Sequence, residues 1–403
     1  MFGRLWLAVT VSGLGDGVRA GALPLLAAFL TRSPGQIAGV SFAQALPWLL
    51  FGLLSGAIAD RLDRRLVLIV ANVVRAVIMA AVAVTVAFGH TPLALLYGAA
   101  FCLTTVTVFA DAASQAILPD IVSADQLDRA NGRLYTSETT VAQFAGPPLG
   151  SLLFAISGAV PFVVDSVSFA ASAALLRTVR NRAAPVPHEG PVRGIGTALA
   201  WLRHQRILWF TMVASTVNNV GSEMLFGIFP LFALQLLHIH AAAYGLLFLC
   251  YAAGAVGGGL VAGRVKGLLG EGPALTVSVV LFGLPLLLMA VWPHAVFAAV
   301  MMAVSGIGEG VWNVVVTSLR QAVVPAAIRG RVLATLRLFS WGSSSIGAAL
   351  AGVIGQAVGI DWSAIAGCAA IVVTGIALAP FLRTAAIAKL RAANASALAA
   401  DRS

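Results

Sequence analysis

Several acidic residues of this chain lie inside long apolar stretches, where charged side chains are rare. Asp16, Glu223 and Glu309 fall near the middle of such stretches, whereas Asp111 and Asp165 lie nearer the ends of two others. If these stretches cross a membrane, each ionisable group costs about 3 kcal/mol and marks a functional site by default. Because removal from water favours the neutral form of a carboxylate, we expect these acids to carry protons or to contact a substrate.

Polar neighbours at helical spacing accompany three of these acids. The pairs lie three or four residues apart, which places both members on one helix face. They are Asp16 with Arg19, Glu223 with Asn219, and Glu309 with Asn313. We expect the asparagines to hydrogen-bond the glutamates. Asp16 and Arg19 either join helices as a neutralised pair or handle protons and substrate, and Asp165 either shares that role or bonds locally.

No other arrangement of residues predicts a catalytic or cofactor site. The only lysines, Lys266 and Lys389, do not follow a glycine, so the chain has no Walker A loop for ATP. Gly306-x-Gly308-x-Gly310 and the glycine run over 254–263 lie in apolar stretches and favour close helix packing. His238-x-His240 lacks a nearby acid or cysteine to complete a metal site. We therefore predict that the chain is not an enzyme and uses no cofactor, metal or ATP.

The composition places these residues in a membrane protein. Of the 403 residues, 60% are hydrophobic and 10% are charged, and the mean hydropathy is +0.95. An average soluble protein has roughly 25% charged residues, so soluble enzymes and disordered proteins are excluded. A bilayer is crossed by a helix of about 20 apolar residues, and twelve such spans are predicted. In chain order they cover residues 5–30, 37–59, 66–88, 93–117, 134–156, 159–176, 207–236, 243–262, 273–291, 295–319, 332–357 and 362–382.

An internal repeat divides the spans into two groups of six. Thr10-Val11 and Pro24-Leu25 of span 1 align at constant spacing with Thr216-Val217 and Pro230-Leu231 of span 7. Parallel repeats of six helices are typical of secondary transporters. We therefore predict an all-α integral membrane fold with two six-helix halves. The predicted parts are an N-terminal half (1–176), a cytoplasmic linker (177–206), a C-terminal half (207–382) and a cytoplasmic tail (383–403).

The basic residues predict the orientation of the chain in the membrane. The formal net charge is +10, from 25 Lys and Arg against 15 Asp and Glu. These basic residues cluster in every second loop, and Arg32 is the only one outside the spans on the other side. Because basic loops remain in the cytoplasm, we predict that both termini are cytoplasmic. The excess charge then requires no nucleic-acid partner.

The loop between spans 2 and 3 carries a recognisable pattern. Gly56-Ala-Ile-Ala-Asp60-Arg61-Leu-Asp63-Arg64-Arg65 resembles the signature loop of the major facilitator superfamily, with Asp63 in place of the usual glycine. The resemblance implies a cytoplasmic latch formed by Asp60 and the basic residues Arg61, Arg64 and Arg65, in which an aspartate caps a helix. Such a cap is physically reasonable, because the helix dipole stabilises a carboxylate at the N-terminus.

Span 5 resembles a second motif of that superfamily. Gly146-Pro147-Pro148-Leu149-Gly150 is similar to the antiporter motif, with Ser151 in place of its last glycine. We expect Pro147 to kink the span, because proline removes a backbone hydrogen bond. Three further segments resemble the branch that holds enterobactin exporters and macrolide-efflux proteins. They are Leu14–Gly17, the Gln115–Pro119 segment ahead of Asp128–Asn131, and Asp165–Phe169.

One departure from this resemblance concerns the proton pathway. Many drug/proton antiporters of the superfamily carry an arginine in span 4 that is tied to proton transfer. Residues 93–116 of this chain contain no Lys or Arg, and Arg19 and Arg75 are the only cations within the first six spans. The role of that arginine therefore cannot be transferred to this chain.

Together these features predict a secondary active transporter of the bacterial cytoplasmic membrane. We expect it to export an amphipathic drug, macrolide-like compound or siderophore by proton antiport with alternating access. The expected partners are the small-molecule substrate, protons and the lipid bilayer, with the chain acting as a monomer. Two alternatives remain open: a proton-coupled importer of a small nutrient on the same fold, and a membrane sensor or scaffold that transports nothing.

Overall fold

The structure is a computed structural model that describes residues 2–52, 54–55, 62–122, 126–178, 195–325, 328–382 and 384. Within these ranges all regular structure is helical, which confirms the predicted all-α class. The helices are α1 (Phe2–Leu30), α2 (Pro34–Phe51), α3 (Arg64–Ala87), α4 (Leu93–Ile121), α5 (Leu127–Glu138), α6 (Gly146–Ile156), α7 (Val160–Leu176), α8 (Ile195–His204), α9 (Arg206–Phe226), α10 (Phe229–Leu236), α11 (Ala241–Leu269), α12 (Glu271–Val291), α13 (Ala295–Val323), α14 (Arg329–Ala357) and α15 (Ile360–Leu378).

Most of the predicted spans coincide with long apolar helices. Eight helices in the described ranges are long and apolar enough to cross a membrane. Helices α9 and α10, bent by 46° relative to each other, make a ninth if they are counted as one broken span. The three other predicted spans are helical but shorter or broken. Span 2 overlaps the 18-residue α2, span 5 contains α6, and span 6 contains the 17-residue α7. The multi-pass architecture is therefore confirmed. Of the twelve predicted spans, eight coincide with helices that could each cross a membrane, or nine if the bent pair is one span.

Residues with special backbone preferences mark several helix boundaries. Ser33 caps α2 by accepting a hydrogen bond from the Gln36 amide, and Pro34 occupies the first helical position, as expected for a helix N-terminus. Gly89, Gly270 and Gly359 have φ of +69°, +85° and +119°. Glycine adopts this region at little cost, and each of these residues lies in a gap between two predicted spans.

Span 5 is irregular in its middle. A π-helical stretch, Thr139–Ala145, separates α5 from α6, and the Gly146 amide donates to the Val141 carbonyl. Pro147 follows directly and has no N–H with which to continue an α-helical ladder. The irregular stretch therefore ends just before Pro147, and the kink predicted at Pro147 stays a prediction. Short π-helical stretches are frequent at functional sites.

The chain forms two compact units. The first unit comprises residues 1–191 and 229–249, and the second comprises 192–228 and 250–403. In the first unit, α1 packs against α6 and α7, and α3 packs against α4 and α7. In the second unit, α12 packs against α13 and α15, and α9 packs against α14 and α15.

Glycines bring α11 and α13 together in the second unit. An added Cβ at Gly254 or Gly258 would overlap the backbone of α13, and one at Gly306 or Gly310 would overlap the backbone of α11. Close approach through small residues is typical of membrane helix pairs. The predicted packing role of both glycine runs is therefore confirmed at these positions, whereas Gly263 faces open space among the described residues.

Candidate functional site

Four charged side chains form a chain of alternating sign inside the first unit. Arg19 Nη2 lies 2.5 Å from Asp16 Oδ1, so the predicted pair on α1 is formed. Arg19 Nε lies 3.3 Å from Asp165 Oδ2 on α7, and Arg75 Nη1 on α3 lies 3.9 Å from Asp16 Oδ2. Two carboxylates and two guanidinium groups from three helices therefore neutralise one another.

Asp165 is the most enclosed member of this charged chain. It is 0% exposed, and neither carboxylate oxygen has a hydrogen-bond partner among the described residues. Arg19 is its ion-pair partner, at a distance and geometry that leave the oxygens without a hydrogen bond. A buried carboxylate with a single ion-pair partner and no hydrogen bond is costly when charged.

Gly15 allows Asp165 to approach α1. An added Cβ at Gly15 would overlap Asp165 Oδ1 and Ser168 Oγ. The residue before Asp16 must therefore lack a side chain if the two aspartates are to share Arg19. The Leu14–Gly17 segment thus has a direct steric reason for its glycine at position 15.

Arg75 joins the charged chain from α3. It is 6% exposed, and its guanidinium carbon lies 5.2 Å from the centre of the Phe169 ring, a cation–π distance. Its Nε has no hydrogen-bond partner within the described part of the chain. The sequence marked Arg75 only as one of two cations in the first six spans, and the structure places it against Asp16.

A cavity of about 310 Å³ opens beside these charges. Its lining includes Asp16, Arg19 and Arg75, together with Asp111 from α4 and Glu138 from α5. Its volume is at the lower end of the range for small-molecule pockets. Glu138 is absent from the sequence-predicted site although it lies inside predicted span 5. Counting every acid within the span limits would have included it.

The two predicted glutamate–asparagine pairs in the second unit have different outcomes. Asn313 Nδ2 donates to Glu309 Oε1 at 2.8 Å, which confirms the predicted pair on α13. The prediction for Glu223 is wrong, because Asn219 Nδ2 donates to the Ser215 carbonyl at 2.8 Å and its Oδ1 faces Ser344 Oγ at 3.5 Å. A backbone carbonyl one turn earlier competes successfully for this amide.

The residues resembling the antiporter motif pack directly on α1. An added Cβ at Gly146 would overlap Gly17, and one at Gly150 would overlap the Val18 carbonyl. The Pro147 carbonyl in turn occupies the space beside Gly21. These glycines bring the start of α6 against the part of α1 that carries Asp16 and Arg19.

Ser151, at the position of the motif's last glycine, ties α6 to the start of α11. It is 0% exposed, and its Oγ lies 3.0 Å from the Pro148 carbonyl and 3.1 Å from the Ala242 carbonyl. The same Oγ accepts a hydrogen bond from the Gly245 amide at 3.1 Å. The hydroxyl thus makes contacts that a glycine could not.

The loop resembling the superfamily signature lies partly outside the described residues, which include neither Gly56, Asp60 nor Arg61. Asp63 caps α3 by accepting hydrogen bonds from the amides of Arg65 and Leu66 at 2.9 and 3.3 Å.

Arg65 of the same loop contacts the end of α7. Its Nε donates to the Leu176 carbonyl at 3.1 Å, and its Nη2 donates to the Arg177 carbonyl. A cation is stabilised at a helix C-terminus. Arg64 is the first residue of α3.

Comparisons with known proteins agree with this architecture. The family described as "transmembrane secretion effector" matches residues 1–400. The multidrug efflux pump Tap of Mycobacterium tuberculosis is 25% identical over 389 residues, which cover 92% of this chain and 90% of the pump. Macrolide efflux protein A of Streptococcus pyogenes is 21% identical over 354 residues, covering 84% of this chain and 86% of that protein.

Two solved structures share the fold. The nucleoside transporter NupG has a TM-score of 0.70 at 16% identity, covering 93% of this chain and 98% of its own. A bacterial homologue of the iron transporter ferroportin in the inward-facing state has a TM-score of 0.75 at 14% identity, covering 97% and 98%.

The fold and the family model define a multi-pass membrane transporter of the major facilitator superfamily, and not an enzyme. Within that superfamily, the chain belongs to the transmembrane secretion effector family. The resemblance seen in the signature loop and in span 5 is thereby confirmed.

Proposed function

We propose that this transporter exports amphipathic small molecules from the bacterial cytoplasm in exchange for protons. The observation that carries the proposal is the alternating chain Asp165–Arg19–Asp16–Arg75, which borders a cavity in the first unit. The direction and substrate class, a drug, macrolide-like compound or siderophore, are supported by the efflux relatives Tap and macrolide efflux protein A.

The proposed coupling step is the binding and release of a proton by the aspartates of the four-residue charged chain. Protonation of Asp165 or Asp16 removes one negative charge and leaves Arg19 with a single anionic partner. When Asp165 is the protonated group, the guanidinium of Arg19 shifts towards its remaining partner Asp16, which lines the cavity, and displaces a bound substrate. Each proton that crosses 100 mV supplies about 2.3 kcal/mol, enough for roughly a fifty-fold gradient of a neutral compound.

The acids of the second unit complete the proposal. Glu309 with its partner Asn313 is assigned to the same proton or substrate handling. Glu223 and Asn219 are assigned to it as separate residues, because they do not form a pair. In this proposal the predicted halves, 1–176 and 207–382, alternate access while linker 177–206 and tail 383–403 remain cytoplasmic. Gly56, Asp60, Arg61, Arg64 and Arg65 act as the gating loop, and Gly146, Pro147 and Gly150 as the antiporter-motif helix. The chain works as a monomer.

Everted vesicles from an efflux-deficient host test the proposal, with ethidium and erythromycin as probes. We expect wild-type vesicles to accumulate a probe when a proton gradient is imposed, and Asp16→Asn and Asp165→Asn each to lose this uptake. Asp361→Asn, an acid at the start of α15, serves as the matched control and should retain it. The antiport proposal is abandoned if both aspartate variants, Asp16→Asn and Asp165→Asn, transport like the wild type. Probe movement in the opposite direction would instead identify an importer.

A further inference from the structure

A second pocket lies at the beginning of α1 and shares no lining residue with the charged cavity. Its volume is about 840 Å³, and its walls come from the first turns of α1 and from the exposed face of α5. Phe2 and Trp6 form one wall, and Arg129 and Arg133 form the other. The pocket is therefore apolar on one side and cationic on the other.

Two glycines of this pocket face open space. Gly3 and Gly132 both line it, and an added Cβ at either position would meet no atom of the described residues within 4 Å. Trp6 Nε1 donates to Ser137 Oγ at 2.6 Å and so links α1 to α5 beside the pocket. The space is thus bounded by a fixed aromatic ring.

The two arginines are available to a ligand. Arg129 and Arg133 are four residues apart on α5, so their side chains lie on one helix face. Both are exposed, and neither guanidinium has an ion-pair partner within the part of the chain that the structure describes. Paired guanidinium groups bind phosphate with charge-assisted, bidentate hydrogen bonds.

The position of the pocket in the membrane indicates the ligand. Arg129 and Arg133 lie between predicted spans 4 and 5, in a break that the charge pattern assigns to the cytoplasmic side. Tryptophan is enriched at the membrane–water interface, and basic pockets between helices on that side bind anionic lipid headgroups. We propose that this pocket binds an anionic phospholipid of the inner leaflet, with its phosphate on Arg129 and Arg133 and an acyl chain along Phe2 and Trp6. The site does not depend on the proposed direction of transport.

The test measures thermal unfolding of the purified full chain in nanodiscs of phosphatidylcholine with increasing phosphatidylglycerol. We expect phosphatidylglycerol to stabilise the wild type at lower mole fractions than the variants require. Arg129→Gln with Arg133→Gln removes the charge but keeps the space, whereas Gly132→Leu fills the space but keeps the charge. Either change should raise the half-maximal mole fraction about tenfold, since charge-assisted hydrogen bonds are lost or blocked.

Controls separate this site from general attraction to charge. Arg264→Gln removes an exposed basic residue near the end of α11 and should respond like the wild type. Each variant is compared with its own unfolding in pure phosphatidylcholine, because Gly132→Leu also raises the helix propensity of α5. Equal responses of the wild type and both pocket variants overturn the proposal. Equal stabilisation by inorganic phosphate alone also overturns it, because the ligand would then be a free anion.

Discussion

At the scale of single residues, Arg19 holds the first-unit site together. It is the one described residue that forms ion pairs with both Asp16 and Asp165, whereas Arg75 pairs with Asp16 alone. Removing one partner of a buried ion pair leaves an uncompensated charge and costs more than the intact pair contributes. The four charges are therefore coupled. A change in the protonation of one carboxylate alters the electrostatic energy of the other three charged groups.

Gly15 provides a steric test of this arrangement. We expect Gly15→Ala to lower the free energy of unfolding by about 1–3 kcal/mol, because the new methyl group overlaps Asp165 and Ser168. Gly13→Ala on the same helix is the matched control, since a Cβ there meets no described atom within 4 Å. Chemical denaturation of both variants in the same detergent measures the difference. Equal unfolding free energies would contradict the close packing of α1 on α7.

The two asparagines near glutamates give a second residue-scale prediction. We expect Asn313→Ala to reduce transport several-fold, because it removes the hydrogen bond to Glu309. Asn219→Ala should have a smaller effect, because its amide binds the Ser215 carbonyl and not Glu223. Initial rates of probe uptake into everted vesicles, normalised to protein amount, compare the two. A larger loss for Asn219→Ala would show that the roles are reversed.

Local pairs were predictable from the sequence, and contacts between distant helices were not. Asp16–Arg19 and Asn313–Glu309 follow from helical spacing alone. Nothing in a single sequence aligns Asp165 or Arg75 with α1, because those contacts depend on which helices pack together. Asn219 was mispredicted because two acceptors lie within its reach and spacing does not choose between them.

At the scale of helices, two glycines on one face of α6 allow it to pack closely on α1. Gly146 and Gly150 lie against the backbone of α1, and the π-helical stretch before them leaves the helix irregular where it approaches Asp16. The positions of the helices were predictable from apolar length. The π-helical stretch and the 46° bend between α9 and α10 were not, because they depend on how the chain packs around proline and glycine.

Ser151 gives a prediction at this scale. We expect Ser151→Ala to lower the free energy of unfolding by about 1 kcal/mol for each hydrogen bond lost with Ala242 and Gly245. Ser222→Ala is the matched control, because its hydroxyl returns to the Asn219 carbonyl of its own helix. Thermal unfolding in detergent measures both. An effect no greater than that of the control would mean that the hydroxyl does not stabilise the contact between α6 and α11.

At the scale of the whole molecule, the basic residues follow the order of the loops along the chain. Nearly all basic residues outside the predicted spans fall in alternate loops, and this pattern predicts that those loops are cytoplasmic. The orientation of the chain remains a prediction, because it depends on the sequence as a whole and on no contact in the structure. The fold was predictable for a related reason, since length, hydropathy and the repeat constrain it together.

Cysteine labelling in intact cells tests this orientation. In a chain with Cys102, Cys250 and Cys368 replaced by serine, we expect Arg32→Cys to react with a membrane-impermeant maleimide. Arg264→Cys should react only after the cells are permeabilised, because its loop is predicted to be cytoplasmic. The reverse pattern of labelling would invert the proposed topology, and with it the side on which the lipid pocket opens.

The glycines of α1 have a consequence for how this protein can evolve. Gly15, Gly17 and Gly21 are each in contact with a neighbouring backbone or a buried side chain, so a side chain at any of these positions requires its neighbours to move and lowers stability. Thr107 on α4 also lines the cavity, and its hydroxyl donates only to the Leu103 carbonyl of its own helix. If the cavity holds the proposed substrate, changes that alter what it admits are therefore expected at positions such as Thr107, and not at the glycines of α1.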